Sequence, residues 1–178
     1  MKTLKKVGIA LLIIIAIPLI TALFIPKGTS YEKSITINAS VETVWQNVST
    51  FEAQNKWSPW DVYDPEMKKE LTGVDGSIGA KQSWDSEHEK VGKGSETIFN
   101  IVPMQIIETD LKFYMPYESE AKGYIKLQAD GSGTKVAWGF TSEMPYPFNL
   151  MKLFMNLEDM MEEDWNLGLS RLKSSCEN

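Results

Sequence analysis

The sequence predicts an α+β domain in which a curved, seven-stranded antiparallel sheet surrounds a long C-terminal helix, with two short helices after the first strand. The apolar side chains between Phe148 and Leu172 recur at the three- and four-residue spacing of one helical face. The segments before them alternate apolar and polar residues with the two-residue period of strands. An uncharged apolar run, Val7 to Ile25, precedes the domain and predicts a transmembrane helix.

The apolar run has the length of a membrane span. At about 1.5 Å per residue it would extend over roughly 28 Å, close to the hydrocarbon thickness of a bilayer. A cleaved secretory signal is the alternative, but its apolar core is usually about 7 to 15 residues and is followed by a cleavage site of small residues. This run ends Leu23-Phe24-Ile25-Pro26 instead. We therefore predict an uncleaved membrane anchor.

The lysines around the run predict its orientation. Lys2, Lys5 and Lys6 precede the run, and only Lys27 follows it closely. This bias keeps the N-terminus in the cytoplasm and places the rest of the chain on the other side of the membrane. The sequence thus predicts a single-pass membrane protein with an extracytoplasmic C-terminal domain.

We divide the chain into two parts. Residues 1–29 form a basic cytoplasmic end, the membrane anchor and a short linker, and residues 30–178 form one domain of ordinary size. Four lysines lie at or before Lys27, which leaves 14 basic and 24 acidic side chains beyond it and a net charge of −10. Nucleic acid would repel such a domain, so no nucleic-acid partner is expected.

The elements of the domain follow from local patterns. Tyr31 to Ile37 alternates as a first strand, and Ser40 stands at the N-cap of a helix that carries Val41, Val44, Trp45 and Val48. A second short helix or a break follows before Trp60. Short turns join the later strands, which argues for antiparallel pairing because parallel pairing needs a long crossover. Six further strands are predicted at Met67–Val74, Ala80–Ser86, Gly92–Val102, Ile106–Met115, Ser119–Ala129 and Thr134–Ser142.

The space between sheet and helix is a candidate ligand site. A curved sheet with one apolar face either packs solidly against the helix or leaves a cavity, and the sequence leaves both possibilities open. Several inward positions carry bulky or adaptable side chains of the kind that line apolar ligand sites, although for any one of them a position in a plain core is the more common explanation. The candidate cavity residues are Trp84, Phe113, Ile125, Trp138, Phe154, Leu157, Met161 and Asp164.

Asp164 interrupts the apolar stripe of the final helix. At 100° per residue it falls between Leu153 and Leu157 in direction, with Arg171 almost aligned two turns later. A carboxylate that faces the core is costly unless it is paired or hydrogen-bonded. Its partner could be Arg171, a strand lysine or a tyrosine hydroxyl. Alternatively, Asp164 is a polar anchor for a ligand's hydroxyl or amine, or an acid in a dehydration.

The order of elements and a set of short motifs resemble a known superfamily. The motifs are Ser34-Ile35-Thr36-Ile37, Val44-Trp45, Trp57-Ser58-Pro59-Trp60, Gly92-Lys93-Gly94, Gly168-Leu169 and Leu172-Lys173. Together they resemble the helix-grip architecture of the START and polyketide cyclase superfamily (SRPBCC), in particular its polyketide cyclase/dehydrase and lipid transport branch, over Tyr31 to Glu177. The resemblance implies a hydrophobic cavity between helix and sheet and ligands such as lipids, sterols or polyketides. It implies no single catalytic set.

Catalytic and metal signals are weak. His88 is the single histidine and lies in a polar connection, and Cys176 lies near the end without a histidine at hand. Neither metal-ligand spacing nor a phosphate loop is found, so no metal and no cofactor are predicted. We predict a membrane-anchored domain that binds a hydrophobic small molecule or lipid. The alternatives are a cyclase- or dehydratase-like enzyme that uses Asp164, and a ligand-free partner-binding module of the cell envelope.

Overall fold

A computed structural model describes residues 2–178. Its first element, α1, spans Lys2–Phe24 and is the one helix of the described chain that is long and apolar enough to cross a membrane. Pro18 lies inside this helix. One turn later, the Thr21 hydroxyl donates a 2.9 Å hydrogen bond to the carbonyl oxygen of Ile17. The apolar side chains of α1 are mostly exposed.

The domain is built on one seven-stranded antiparallel sheet, as the sequence predicts. The strands stand in the spatial order β1-β7-β6-β5-β4-β3-β2, so the first and last strands in sequence pair with each other. From β2 to β7, strands that follow one another in sequence are neighbours in the sheet, because connections of only two to eight residues join them. The strands are β1 Gly28–Ile37, β2 Lys68–Thr72, β3 Lys81–Asp85, β4 Lys93–Val102, β5 Ile106–Met115, β6 Ser119–Asp130 and β7 Gly133–Glu143.

Three short helices, rather than the two expected, connect β1 to β2. They are α2 Val41–Val48, α3 Phe51–Asn55 and α4 Trp60–Tyr63. The predicted N-cap at Ser40 is present, since its hydroxyl accepts a 3.2 Å hydrogen bond from the Thr43 amide. The additional helix arises because Pro59, which suits the start of a helix, begins a new turn at Trp60.

The C-terminal helix is shorter than predicted. A 3₁₀ helix spans Phe148–Leu153, and the long helix α5 spans Leu157–Glu177. Between them, the Asn156 side chain accepts a 3.2 Å hydrogen bond from the Glu158 amide and caps α5. Asparagine favours such caps over helix interiors, which explains the break. The apolar residues before Asn156 therefore do not share one face with those of α5.

Helix α5 runs parallel to β1 across the concave face of the sheet. Near the start of α5, Glu162 pairs with Lys33 at 2.9 Å, and near its end Glu177 accepts a 2.6 Å hydrogen bond from the Asn38 amide. The first turn of α5 thus lies at the end of the domain where β1 begins, beside α1.

The core lies between α5, α2 and the central strands. Its most buried members include Ile37, Val48, Ile98, Val136 and Leu172, each about 0 % exposed. Burial of a side chain of this size contributes about 1.5–3 kcal/mol.

Candidate functional site

A cavity of about 540 Å³ lies between the concave face of the sheet and the helices α4 and α5. Ligand sites commonly occupy about 300–1,000 Å³, so the cavity has the size of a small-molecule site. At about 30 Å³ per molecule of liquid water, it would hold well over ten waters. Six of the eight predicted cavity residues line it, namely Trp84, Phe113, Ile125, Trp138, Met161 and Asp164.

The structure does not bring Phe154 and Leu157 into the cavity. Phe154 is 82 % exposed in the break between the 3₁₀ helix and α5. Leu157 is half-buried at the first position of α5, where it packs against the core. Their predicted inward direction assumed one continuous helix, and the break before α5 removes that assumption.

Three tryptophans, from α4, β7 and α5, form one wall of the cavity. The rings of Trp138 and Trp165 stack with centroids 4.4 Å apart, and Trp60 meets them edge-on at 5.7 Å and 5.9 Å. The indole nitrogen of Trp165 donates a 3.0 Å hydrogen bond to the carbonyl oxygen of Trp138. Edge-on and offset contacts are the favoured aromatic geometries, so the ring contacts in this wall are favourable. The motif Trp57-Ser58-Pro59-Trp60 delivers Trp60 to this position by starting α4.

The opposite wall depends on a glycine. Trp84 of β3 meets Phe113 of β5 edge-on with centroids 6.0 Å apart. Between them, β4 carries Gly94, where any Cβ would overlap the Trp84 ring and the carbonyl oxygen of Lys112. Gly94 therefore makes room for the Trp84 indole beside Phe113. This explains one glycine of the Gly92-Lys93-Gly94 motif as a packing requirement.

Asp164 is paired with a tyrosine hydroxyl. Tyr63 donates a 2.5 Å hydrogen bond to Oδ1 of Asp164, whereas Arg171 donates to the carbonyl oxygen of Lys56 at 2.8 Å. The hydrogen bond to Asp164 raises the pKa of Tyr63, and burial adds to this effect. Lys90 Nζ lies 3.3 Å from the Tyr63 hydroxyl oxygen. Of the three partners that the sequence allows, the structure selects the tyrosine.

A second carboxyl group in the cavity was not predicted. Glu96 of β4 faces the cavity, and its Oε1 accepts a 2.7 Å hydrogen bond from the Thr109 hydroxyl. Burial raises the pKa of Glu96, and the Thr109 hydrogen bond opposes this only in part. The two-residue period of a strand indicates that Glu96 faces inward, because Glu96 lies on the same face of β4 as Gly94 and the buried Ile98.

The single histidine and cysteine lie outside the cavity lining. His88 is exposed, and its ring stacks on Tyr63 with centroids 5.7 Å apart. Cys176 is buried in α5, where burial raises the pKa of its thiol to about 11. A thiol with so high a pKa is a poor nucleophile. Among residues 2–178, no group of three or more histidine, cysteine or acidic side chains is placed to hold a metal ion.

An antiparallel sheet wrapped around a C-terminal helix, with an apolar cavity between them, defines a helix-grip domain. Residues 28–177 match the family model described as polyketide cyclase / dehydrase and lipid transport, and the chain belongs to this family. The match begins at the first residue of β1, two residues before the predicted start of the domain. A search of curated proteins finds no significant sequence match.

Solved structures share the fold at low sequence identity. Protein CV1439 from Chromobacterium violaceum is 16 % identical, with a TM-score of 0.58 over 84 % of this chain and 97 % of that one. The Aha1 dimer from Colwellia psychrerythraea is 16 % identical, with a TM-score of 0.57 over 84 % of this chain and 96 % of that one. The di-domain ARO/CYC StfQ from the steffimycin biosynthetic pathway is 11 % identical, with a TM-score of 0.64 over 85 % and 51 %. At these identities the similarity concerns the fold alone.

Proposed function

We propose that this chain is a membrane-anchored domain that binds a hydrophobic small molecule or lipid in the cavity between sheet and α5. The cavity of about 540 Å³ is the observation that carries the proposal. Protein interiors are normally close-packed, and lining atoms beside empty space lose contacts that a solid core would provide. A ligand would restore those contacts. A ligand-free partner-binding module would have no use for such a space, so the cavity favours binding over that alternative.

The polar groups of the cavity suit a ligand that is apolar with one or two oxygens or nitrogens. Aromatic and aliphatic side chains make up most of the lining. Its carboxyl groups include Glu96 on the sheet side, Asp164 on the helix side, and Asp61, which forms an ion pair with Lys69. Burial raises the pKa of Glu96, so this carboxyl group keeps its proton to a higher pH than an exposed glutamate does, and in its protonated form it can donate a hydrogen bond. Few polar groups in an apolar site fix the orientation of a ligand, whereas the apolar walls provide affinity.

Helix α1 supports the membrane location. It is long and apolar enough to span a bilayer, and the lysines before it favour a cytoplasmic N-terminus with residues 30–178 on the extracytoplasmic side. A tethered domain cannot diffuse between compartments as a free carrier does. We therefore infer that it holds or presents its ligand at one membrane.

The direct test is to identify what the full chain retains. The protein would be extracted from the membrane with a polymer that preserves surrounding lipid, and bound molecules would be identified by native mass spectrometry. The proposal predicts that one apolar molecule stays bound to each protein chain. Ala121→Phe, which adds a ring inside the cavity, should lose this molecule, whereas the surface variant Ala137→Phe should keep it. Equal retention by both variants would show that the molecule is bound elsewhere.

A second candidate function is catalysis of a cyclisation or dehydration. The observation that favours it is the linked set of Asp164, Tyr63 and Lys90 at the edge of the cavity. Such a set could transfer a proton to or from a bound polyketide, and general acid–base groups contribute about 10²- to 10⁴-fold to rates. If Asp164→Asn leaves turnover of a poly-β-ketone substrate unchanged, Asp164 has no catalytic role.

A further inference from the structure

The cavity opens at one end of the domain. Among its described lining residues, all exposed ones lie at this end: residues 89–90 in the β3–β4 connection, 115–117 and 119 around the β5–β6 turn, and Met160 in the first turn of α5. The lining residues at the opposite end are buried or half-buried. We refer to the exposed set as the mouth of the cavity.

The mouth lies at the end of the domain that meets α1. Ala121 of β6 pairs with Ser142 of β7, which in turn pairs with Thr29 of β1. The β5–β6 turn before Ala121 therefore reaches the level of Lys27, just beyond the end of α1. The start of α5 lies at the same end, as its pairing with β1 shows.

The domain is attached to α1 through the 3₁₀ helix. Asn149, which is 1 % exposed, donates hydrogen bonds of 2.7 Å and 2.8 Å to the carbonyl oxygens of Ala22 and Ile25. Lys152 Nζ donates a 3.1 Å hydrogen bond to the carbonyl oxygen of Pro26. Carbonyl groups at a helix C-terminus lack partners within the helix, and near a bilayer they need partners from elsewhere. The 3₁₀ helix provides them, which fixes its level at the last turn of α1.

The outer side of this segment is apolar and uncovered. We define the collar as residues 148–154, and its exposed apolar side chains are Phe148 (63 %), Met151 (48 %), Leu153 (60 %) and Phe154 (82 %). The collar continues the exposed apolar surface of Leu23 and Phe24 at the end of α1. Contiguous apolar surface of this kind marks an interaction site, and here the adjoining surface is that of a helix suited to hydrocarbon.

We propose that the collar inserts into the headgroup and upper acyl-chain region of the bilayer and holds the cavity mouth against it, so that a hydrophobic ligand passes directly between bilayer and cavity. This inference rests on the proposed binding function and adds the source and route of the ligand. The hydrogen bonds of Asn149 to α1 and the collar act together. Asn149 holds the collar at the level of the last turn of α1, and insertion of the collar sets the tilt of the domain relative to the bilayer.

The first experiment measures insertion of the collar. The full chain would be reconstituted into phosphatidylcholine vesicles with an environment-sensitive fluorophore at Phe154→Cys. The control carries the fluorophore at Val74→Cys, an exposed position (75 %) at the opposite end of the sheet. Lipid with a nitroxide near the top of its acyl chain should quench the label at 154 and leave the label at 74 unaffected. Equal, weak quenching at both positions would overturn the inference. A collar that binds another protein instead of the bilayer would give this result.

The second experiment measures the route. The fluorescent fatty acid 12-(9-anthroyloxy)stearate would be supplied in the vesicle bilayer. Its arrival in the cavity would be followed by energy transfer from the tryptophans that line the cavity, among them Trp138 and Trp165. The variant Phe148→Ser/Phe154→Ser should slow arrival about tenfold or more and leave the final occupancy unchanged, since both side chains are exposed. Unchanged arrival would overturn the inference. No occupancy in the wild type would instead contradict the proposed binding function.

Discussion

The Tyr63 hydroxyl donates a 2.5 Å hydrogen bond to the carboxylate of Asp164, and this bond joins α4 to α5 beside the cavity. Residues 101 positions apart in the chain are thus held together by one polar contact. The contact places a carboxylate on the cavity wall without leaving it unpaired, which would be costly in an apolar environment. The same contact keeps α4, and with it Trp60, against the helix.

We expect Tyr63→Phe to destabilise the domain by about 1.5–3 kcal/mol, because hydrogen bonds to charged groups contribute this much. Chemical denaturation of the full chain in mild detergent would measure the free energy of unfolding. The control is Tyr117→Phe, since Tyr117 is 81 % exposed and should tolerate the change. Equal stability of the two variants would contradict a structural role for the bond to Asp164.

Glu96 should make stability depend on pH. Burial raises its pKa in the folded chain above the usual 4.5, so the folded chain binds this proton more tightly than the unfolded chain. The contribution of Glu96 to the free energy of unfolding should therefore fall as the pH rises from 4.5 through the folded pKa. Glu96→Gln lacks this titration, so its stability relative to the wild type should increase over that interval.

The same measurement has a matched control. The Thr109 hydroxyl hydrogen-bonds the Glu96 carboxylate and lowers its pKa, so Thr109→Val should shift the pH-dependent interval upward. Parallel curves of unfolding free energy against pH for the wild type and Glu96→Gln would contradict the buried position of this carboxyl group.

Gly168 should be needed for the close approach of α5 to the sheet. An added Cβ would lie 2.7 Å from the Trp138 ring and 3.2 Å from Pro59 Cδ. We expect Gly168→Ala to cost about 1–3 kcal/mol by overpacking, measured by thermal or chemical unfolding. Gly28→Ala, where an added Cβ meets nothing within 4 Å, is the matched control. An unaltered stability of Gly168→Ala would show that α5 can move away from the sheet at little cost.

Asn149→Ala should loosen the junction between α1 and the domain. The change removes two hydrogen bonds to the last carbonyl groups of α1 and leaves those groups without these donors. Because local opening exposes the backbone to proteases, trypsin should cleave after Lys27 several-fold faster than in the wild type. Phe148→Ser, which leaves the hydrogen bonds in place, should not accelerate cleavage. Identical rates for all three chains would argue against a firm junction.

The fold could be predicted from the sequence because its patterns are local. The sequences of β1, β5, β6 and β7 alternate with a two-residue period, and a glycine or proline lies at or next to one end of each. The antiparallel pairing from β2 to β7 follows from the short connections between these strands. Ser40 as an N-cap is equally local. The break before α5 is not evident from apolar spacing, because that spacing continues past Asn156. Only the preference of asparagine for caps indicates the start of a new helix there.

The site could be predicted only in part. Trp84, Trp138 and Met161 lie on the cavity wall because strand and helix periods place them there. The partner of Asp164 could not be chosen from sequence, since Tyr63 approaches it through the packing of α4. The packing of the 3₁₀ helix against α1 likewise depends on contacts between residues more than a hundred positions apart.

The most direct test of the account is a titration of the full chain in lipid nanodiscs with 12-(9-anthroyloxy)stearate, followed by energy transfer from the cavity tryptophans. We predict saturable, equimolar binding to the wild type and to Ala137→Phe, which changes the outer face of the sheet. Binding to Ala121→Phe should weaken by at least about tenfold, because its ring would occupy part of the cavity. Equal affinity of all three chains, or no saturable binding to the wild type, would contradict a ligand-binding cavity.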